Sequence, residues 1–322
     1  MYDNSMRKMI YQKFILGCGN LDKALSYGLG GVIFFTKDIQ NESQFKNLIK
    51  EIKSKSIISP FLSIDQEGGR VERTENIRPK RLSAKFAFQK GEKFLKEQSQ
   101  EISKELSSYG INLNFAPCVD VNTNPNNPII GERAFSNTPQ DVVKGAQIFI
   151  EVSRKYNVIP CIKHYPGHGN ANKDSHLTLP VIDLSFDELK EHHIKPFEKL
   201  IKSGVEMVMA AHLHCECFDK NPIPTSLSEN AISYLRGELG YNGVIITDDM
   251  VMKGVQNFGS LEACIMAINA GVDMFIFRNS DDKTLMLIED LIKEVEKDAN
   301  LEQKIRKSNQ RILDLKAKYN LI

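Results

Sequence analysis

The sequence predicts an α/β fold: a single closed (β/α)8 barrel of the TIM type covering residues 1–322 as one domain, with a C-terminal helical tail. Three observations carry the prediction. Eight short apolar runs alternate with amphipathic segments along the chain. Charged residues gather just after those runs, while the opposite ends carry almost none. No GxGxxG or GxxxxGK[ST] turn follows any run, which weighs against the competing open, nucleotide-binding sheet.

The apolar runs occupy residues 11–16, 31–35, 60–64, 111–116, 158–162, 206–210, 243–246 and 274–277. Between them, apolar residues recur at helical spacing in 42–54, 91–108, 139–156, 186–203, 228–239 and 261–270, and 282–319 forms the tail. Asn41, Thr138, Ser185 and Ser228 precede helices, where a side-chain oxygen can accept from a free amide. Gly110, Asn157, Gly204, Gly240 and Gly271 stand where helices must stop. The N-terminal segment is read as leading straight into the first strand. Gln12 and Lys13 interrupt an apolar stretch that is already too short for a signal core.

Composition excludes several classes. With 42 basic and 41 acidic residues the net charge is +1, so no nucleic-acid footprint or membrane-binding face is expected. No apolar run approaches the roughly 20 residues that span a bilayer. The six cysteines form no CxxC pair and several sit in apolar runs, which suits reduced thiols in the cytoplasm. A monomer is expected.

After the fifth run the chain reads KHYPGHGNANKDSH (163–176), which holds three of the seven histidines together with Lys163 and Asp174. Gly167 and Gly169 bracket His168 and let the backbone turn sharply or approach a ligand closely. Other runs are followed by Asp65 through Arg70 and then Arg73, by Asp120 and Glu132–Arg133, by His212 and His214, by Asp248–Asp249, and by Arg278. Asp65 and Asp248 with Arg73, Arg133 and Lys163 describe a pocket for a polyhydroxylated ligand, because each sugar hydroxyl both donates and accepts. A structural ion pair at the strand end competes as the reading for Asp65 and Arg70. A brace for the long 118–131 loop competes for Glu132–Arg133, and a helix cap for Asp249. Asp174 and His176, two apart, outline an acid/base dyad in which the carboxylate orients the ring. His164, His168, His212 and His214 leave a metal-dependent hydrolase open as an alternative.

IDQEGGRVER (64–73), NFAPCVDVN (114–122), IGERAFS (130–136), KHYPGHG…DSH (163–176), MAAH (209–212) and GVIITDDM (243–250) run in one order over residues 29–271. By these blocks the chain resembles the single-domain bacterial β-N-acetylglucosaminidases of glycoside hydrolase family 3, of the cell-wall recycling type. The resemblance implies retaining removal of terminal GlcNAc through a glycosyl-enzyme on Asp248, with His176 as acid and base and Asp174 as its partner. It implies that Asp65, Arg73, Arg133, Lys163 and His164 bind the sugar, with His212 nearby, and that no metal or cofactor takes part. The implied substrate is a muropeptide carrying GlcNAc on 1,6-anhydro-N-acetylmuramic acid. A phosphorylase variant of the same family stays open, since no residue decides between water and phosphate.

Overall fold

Alternate residues of each strand turn inward, and this pleat fills the barrel. The computed structural model describes residues 4–171 and 179–322. Its barrel strands are β1 Phe14–Gly17, β2 Gly31–Phe34, β3 Phe61–Ile64, β4 Leu113–Asn114, β5 Ile159–Tyr165, β6 Met207–Ala210, β7 Val244–Asp249 and β8 Met274–Phe277. Each lies parallel to its sequence neighbours, and β1 pairs with β8 to close the ring. Ile15, Phe61, Cys161, Met207, Met209 and Ile246 belong to one buried cluster inside the ring. Residues of opposite parity, such as Phe14, Leu16, Ile162, Val208 and Ile245, join a second cluster with the surrounding helices.

The expected helix signals act as such. Asn41 accepts from the Gln44 amide at 2.9 Å, and Thr138, Ser185 and Ser228 each accept from an amide three residues on. All five expected stop residues have positive φ, and Asn157 is the non-glycine among them, at 56°. The expected helix over 186–203 is interrupted: a π-helical stretch, Leu189–Ile194, lies between Phe186–Glu188 and Lys195–Lys202.

Two expectations need correction. The first strand does not begin at residue 11, because Asn4–Tyr11 is a helix. Its buried Met6, Ile10 and Tyr11 face the core, while Arg7 and the Tyr11 hydroxyl both reach Glu289 on the helix Asp282–Val295. The lower end of the barrel is not free of charge either. Buried Glu206 accepts from Arg154, Lys318 and Tyr319, and buried Asp273 pairs with Arg236 and Arg311. These partners come from surrounding helices and the tail, which a survey of strand ends leaves out.

The last helix, Ala299–Lys318, closes the barrel from below and adds Ile312 and Leu315 to the interior cluster. Lys316 is carried in with them. Its Nζ donates to Gln12 Oε1 at 2.7 Å and lies 5.0 Å from the Phe61 ring centroid. Burial lowers its pKa from 10.5 to about 7. The unfolded chain therefore binds a proton between these values that the folded chain does not, and stability rises with pH across that window. Lys316→Met is expected to remove this slope, about 1.4 kcal/mol per pH unit. Denaturant melts from pH 7 to 10 check it: curves for variant and wild type that stay parallel would exclude Lys316 as the source.

Candidate active site

The pleat that fills the barrel also selects one carboxylate of the Asp248–Asp249 pair. Val244 and Ile246 face inward, so Asp248, next in that parity, emerges on top of the fill and lines a pocket beside Met209. Asp249 faces away. It accepts from the Val251 amide at 3.1 Å and the Arg278 amide at 3.2 Å, and pairs with the Arg278 guanidinium at 2.5 Å. Asp249 thus caps a turn and anchors β8, close to the expected capping role. Burial pushes both carboxyls up. At Asp248 the His164 and His212 imidazoles, the Asp249 amide and the Lys163 ammonium together outweigh burial, and its pKa falls below the usual value. Asp249 stays above it.

The same parity sends Asp65, following β3, and Lys163, on β5, to the top of the interior. Lys163 Nζ lies 2.7 Å from Asp65 Oδ1 and 2.6 Å from Glu67 Oε1. Glu67 also receives Arg133 through two parallel contacts, Nε to Oε2 at 2.9 Å and Nη2 to Oε1 at 2.8 Å. Burial pushes the Glu67 carboxyl up, but Arg133 and Lys163 reverse this and hold it far below the ordinary carboxylate range. Burial likewise opposes the Lys163 charge, and Asp65 and Glu67 reverse that and raise its pKa. Arg133 is therefore more than a loop brace, and Glu67 is the hub that sequence reasoning passed over within its DQEGGR motif.

His164 would face outward in a regular strand. The register of β5 against β6 shifts between Ile162 and Tyr165, and His164 lines the pocket. Its Nδ1 lies 2.6 Å from Asp120 Oδ2, and its Nε2 lies 3.4 Å from Arg133 Nη2. Asp120 also accepts the His168 amide at 2.6 Å and the Cys118 thiol at 3.2 Å. Burial raises its carboxyl, but the two histidines reverse this and hold it well down. Asp120, which the sequence places after β4 without a role, is the second hub; its signal was a lone acid in the apolar NFAPCVDVN block. Gly169 does approach something closely, but the partner is the chain itself: a Cβ there would stand 1.7 Å from the Val121 carbonyl oxygen.

The pocket encloses about 280 Å³ and is lined by Asp65, Glu67, Arg73, Arg133, Lys163, His164, His168 and Asp248, among others. All five residues expected to hold the sugar are brought together there with Asp248. Arg73 sits 3.9 Å from Asp65, and its buried Nε has no hydrogen-bond partner among the described residues. The same is true of both ring nitrogens of His168, whose pKa burial lowers to about 4. His212 lies outside the pocket wall with its Nδ1 2.7 Å from Ser226 Oγ, yet near enough to lower Asp248. His214 Nδ1 lies 3.2 Å from the Ile223 carbonyl. The four histidines are therefore not one ligand set. Among the described residues the trio that can hold a metal is Cys118, Asp120 and His164, in which Asp120 already accepts from both neighbours. Asp174 and His176 lie outside the described residues.

The site is an ion-paired polar layer over an apolar fill at the top of a closed α/β barrel, with the Asp248 carboxylate on its floor. Residues 21–315 match the N-terminal domain of glycosyl hydrolase family 3, and the chain belongs to that family. It is 36% identical over 271 residues to "Beta-hexosaminidase A" of Pseudoalteromonas piscicida, covering 77% of this chain and 45% of that one. It is 33% identical over 272 residues to "Beta-hexosaminidase" of Tolumonas auensis, covering 82% and 79% of the two chains. The solved structure of a family 3 β-N-acetylglucosaminidase from Paenibacillus sp. strain FPU-7 superposes with a TM-score of 0.90 at 30% identity, over 98% of this chain and 62% of that one. The chain thus spans less than half of the first relative and most of the second.

Proposed function

We propose that this chain is a retaining exo-β-N-acetylglucosaminidase. The observation that carries the proposal is Asp248: an inward-facing carboxylate, kept ionised by the surrounding cationic and hydrogen-bonding groups, on the floor of a pocket that also gathers the five residues expected to bind the sugar. At about 280 Å³ the pocket is at or below the small end of ligand sites, which suits one terminal sugar unit. Arg73 lines the same pocket, where its guanidinium can donate to a sugar hydroxyl.

In this reading an Asp248 oxygen attacks the anomeric carbon as the glycosidic C–O bond breaks, and His176, oriented by Asp174, protonates the departing oxygen. His176 then takes a proton from water as that water displaces Asp248 with a second inversion. The substrate is a GlcNAc-capped anhydromuropeptide, handled in the cytoplasm during cell-wall recycling, by a monomer in which barrel and tail act as one unit. Among the described residues no helix is long and apolar enough to cross a membrane.

The test is hydrolysis of nitrophenyl N-acetyl-β-glucosaminide with a chelator present, followed by proton NMR of the first sugar released. β-GlcNAc appearing before its α anomer supports retention. α-GlcNAc first, or activity that requires added metal, overturns the mechanism. His176→Ala is expected to slow release of a sugar leaving group about a hundredfold more than release of nitrophenolate, which needs little protonation. Equal losses on the two would remove His176 from the acid role.

A further inference from the structure

The cations of the pocket fall into two groups. Lys163, Arg133 and Arg73 are paired with Asp65 or Glu67, and they surround the space below the mouth. Arg70 is exposed and lines the same pocket at its rim, beside the exposed Pro128. Its Nη1 donates to the Pro128 carbonyl at 3.0 Å, and no carboxylate among the described residues pairs with it. Among the described residues, the structural ion pair considered for Arg70 from sequence does not form.

The backbone beneath Arg70 is fixed. Gly68 and Val71 exchange backbone hydrogen bonds, each at 3.2 Å, across a tight turn whose Gly68 and Gly69 have φ of 96° and 61°. The Gly69 amide is tied to the Arg81 carbonyl at 2.9 Å. A Cβ would stand 2.4 Å from the Leu82 carbonyl oxygen at Gly68 and 2.6 Å from Ser83 Cβ at Gly69, so only glycine lets the turn lie against 81–83. Just beyond it, buried Glu72 is locked to Arg81 at 3.1 Å. A rigid turn and a carbonyl tether thus hold one guanidinium at the mouth of a site whose other cations are paired within the protein.

We propose that Arg70 reads a carboxylate on the aglycone, making an anionic leaving group a preferred substrate feature of this enzyme. The proposal rests on the glycosidase reading above and adds to it the charge class of the group outside the sugar pocket. A planar guanidinium tethered through one nitrogen keeps others free for a carboxylate, and such charge-assisted contacts are the stronger hydrogen bonds.

The experiment compares two nitrophenyl N-acetyl-β-glucosaminides, one with a carboxylate on the phenyl ring and one with the corresponding methyl ester. For each enzyme the ratio of kcat/KM for acid over ester is measured, so that intrinsic leaving-group differences cancel between enzymes. Arg70→Gln is expected to lower this ratio about tenfold or more, Arg70→Lys to restore part of it, and added salt to lower it in the wild type alone. A ratio unmoved by Arg70→Gln, or equal losses on acid and ester, overturns the proposal while leaving the glycosidase reading intact. A wild type that cleaves neither compound overturns both.

Discussion

Asp248→Asn is expected to lower kcat on nitrophenyl N-acetyl-β-glucosaminide by about 10⁴- to 10⁶-fold, the scale on which removing a covalent nucleophile acts. The substitution keeps shape and removes charge. Asparagine can still accept the Asp249 amide that Asp248 Oδ1 accepts at 2.7 Å, so the turn into Asp249 and the Arg278 anchor should persist. Stability should change little, because the wild-type carboxylate is half-buried and is offset by neighbours rather than locked in a direct ion pair. The pH profile carries the same information. The folded Asp248 pKa lies below its ordinary value, so any acid limb set by the nucleophile should fall at a lower pH than an unshifted carboxyl would give. A variant that keeps a tenth of wild-type kcat while folding normally would remove Asp248 from the covalent role.

Asp248 shows why part of the site was legible in sequence. Strand parity is a local rule: once β7 is identified, Ile246 inside implies Asp248 inside and Asp249 outside. Helix ends are equally local, and Asn41, Thr138, Ser185 and Ser228 cap as expected because each cap needs only an amide a few residues away. The hubs are different. Arg133 meets Glu67 across 66 positions, and His164 meets Asp120 across 44. A sequence displays these charges at the correct strand ends without stating which of several acids each cation will choose. The N-terminal helix was missed for a related reason. Its buried stripe of Met6, Ile10 and Tyr11 is short, and it merges with the apolar start of β1 across Gln12 and Lys13, two polar residues that the fold also buries. Lys13 becomes tolerable there only because Asp273 O, at 2.6 Å, and Ser308 Oγ, at 2.5 Å, arrive from 260 and 295 positions away.

Glu67→Gln tests whether that long-range hub is what assembles the sugar pocket. The glutamine oxygen can keep one contact, but Lys163 and Arg133 then share Asp65 as the nearest remaining acid, and two buried cations lose their common counter-charge. Breaking a buried ion pair from one side typically costs about 3–5 kcal/mol, and part of that cost is relieved when the stranded cations move. Such movement would carry Lys163 away from Asp65 and the Arg133 guanidinium away from His164 Nε2, 3.4 Å distant. The expected result is a fall of about 10³ in kcat/KM together with a lower Tm. Stability should also lose a pH dependence. The folded Glu67 pKa is lowered, so its contribution is complete above the ordinary carboxyl value and declines as pH falls from there toward the folded value. Thermal melts between pH 3 and 7 should therefore show a shallower acid decline in Glu67→Gln than in wild type. Near-normal kcat/KM with an unchanged acid slope would mean that Asp65 alone organises the cations and that Glu67 is dispensable. A lower Tm with normal kcat/KM would confine Glu67 to holding the fold, because catalysis needs Lys163 and Arg133 in place and stability needs only their charges answered.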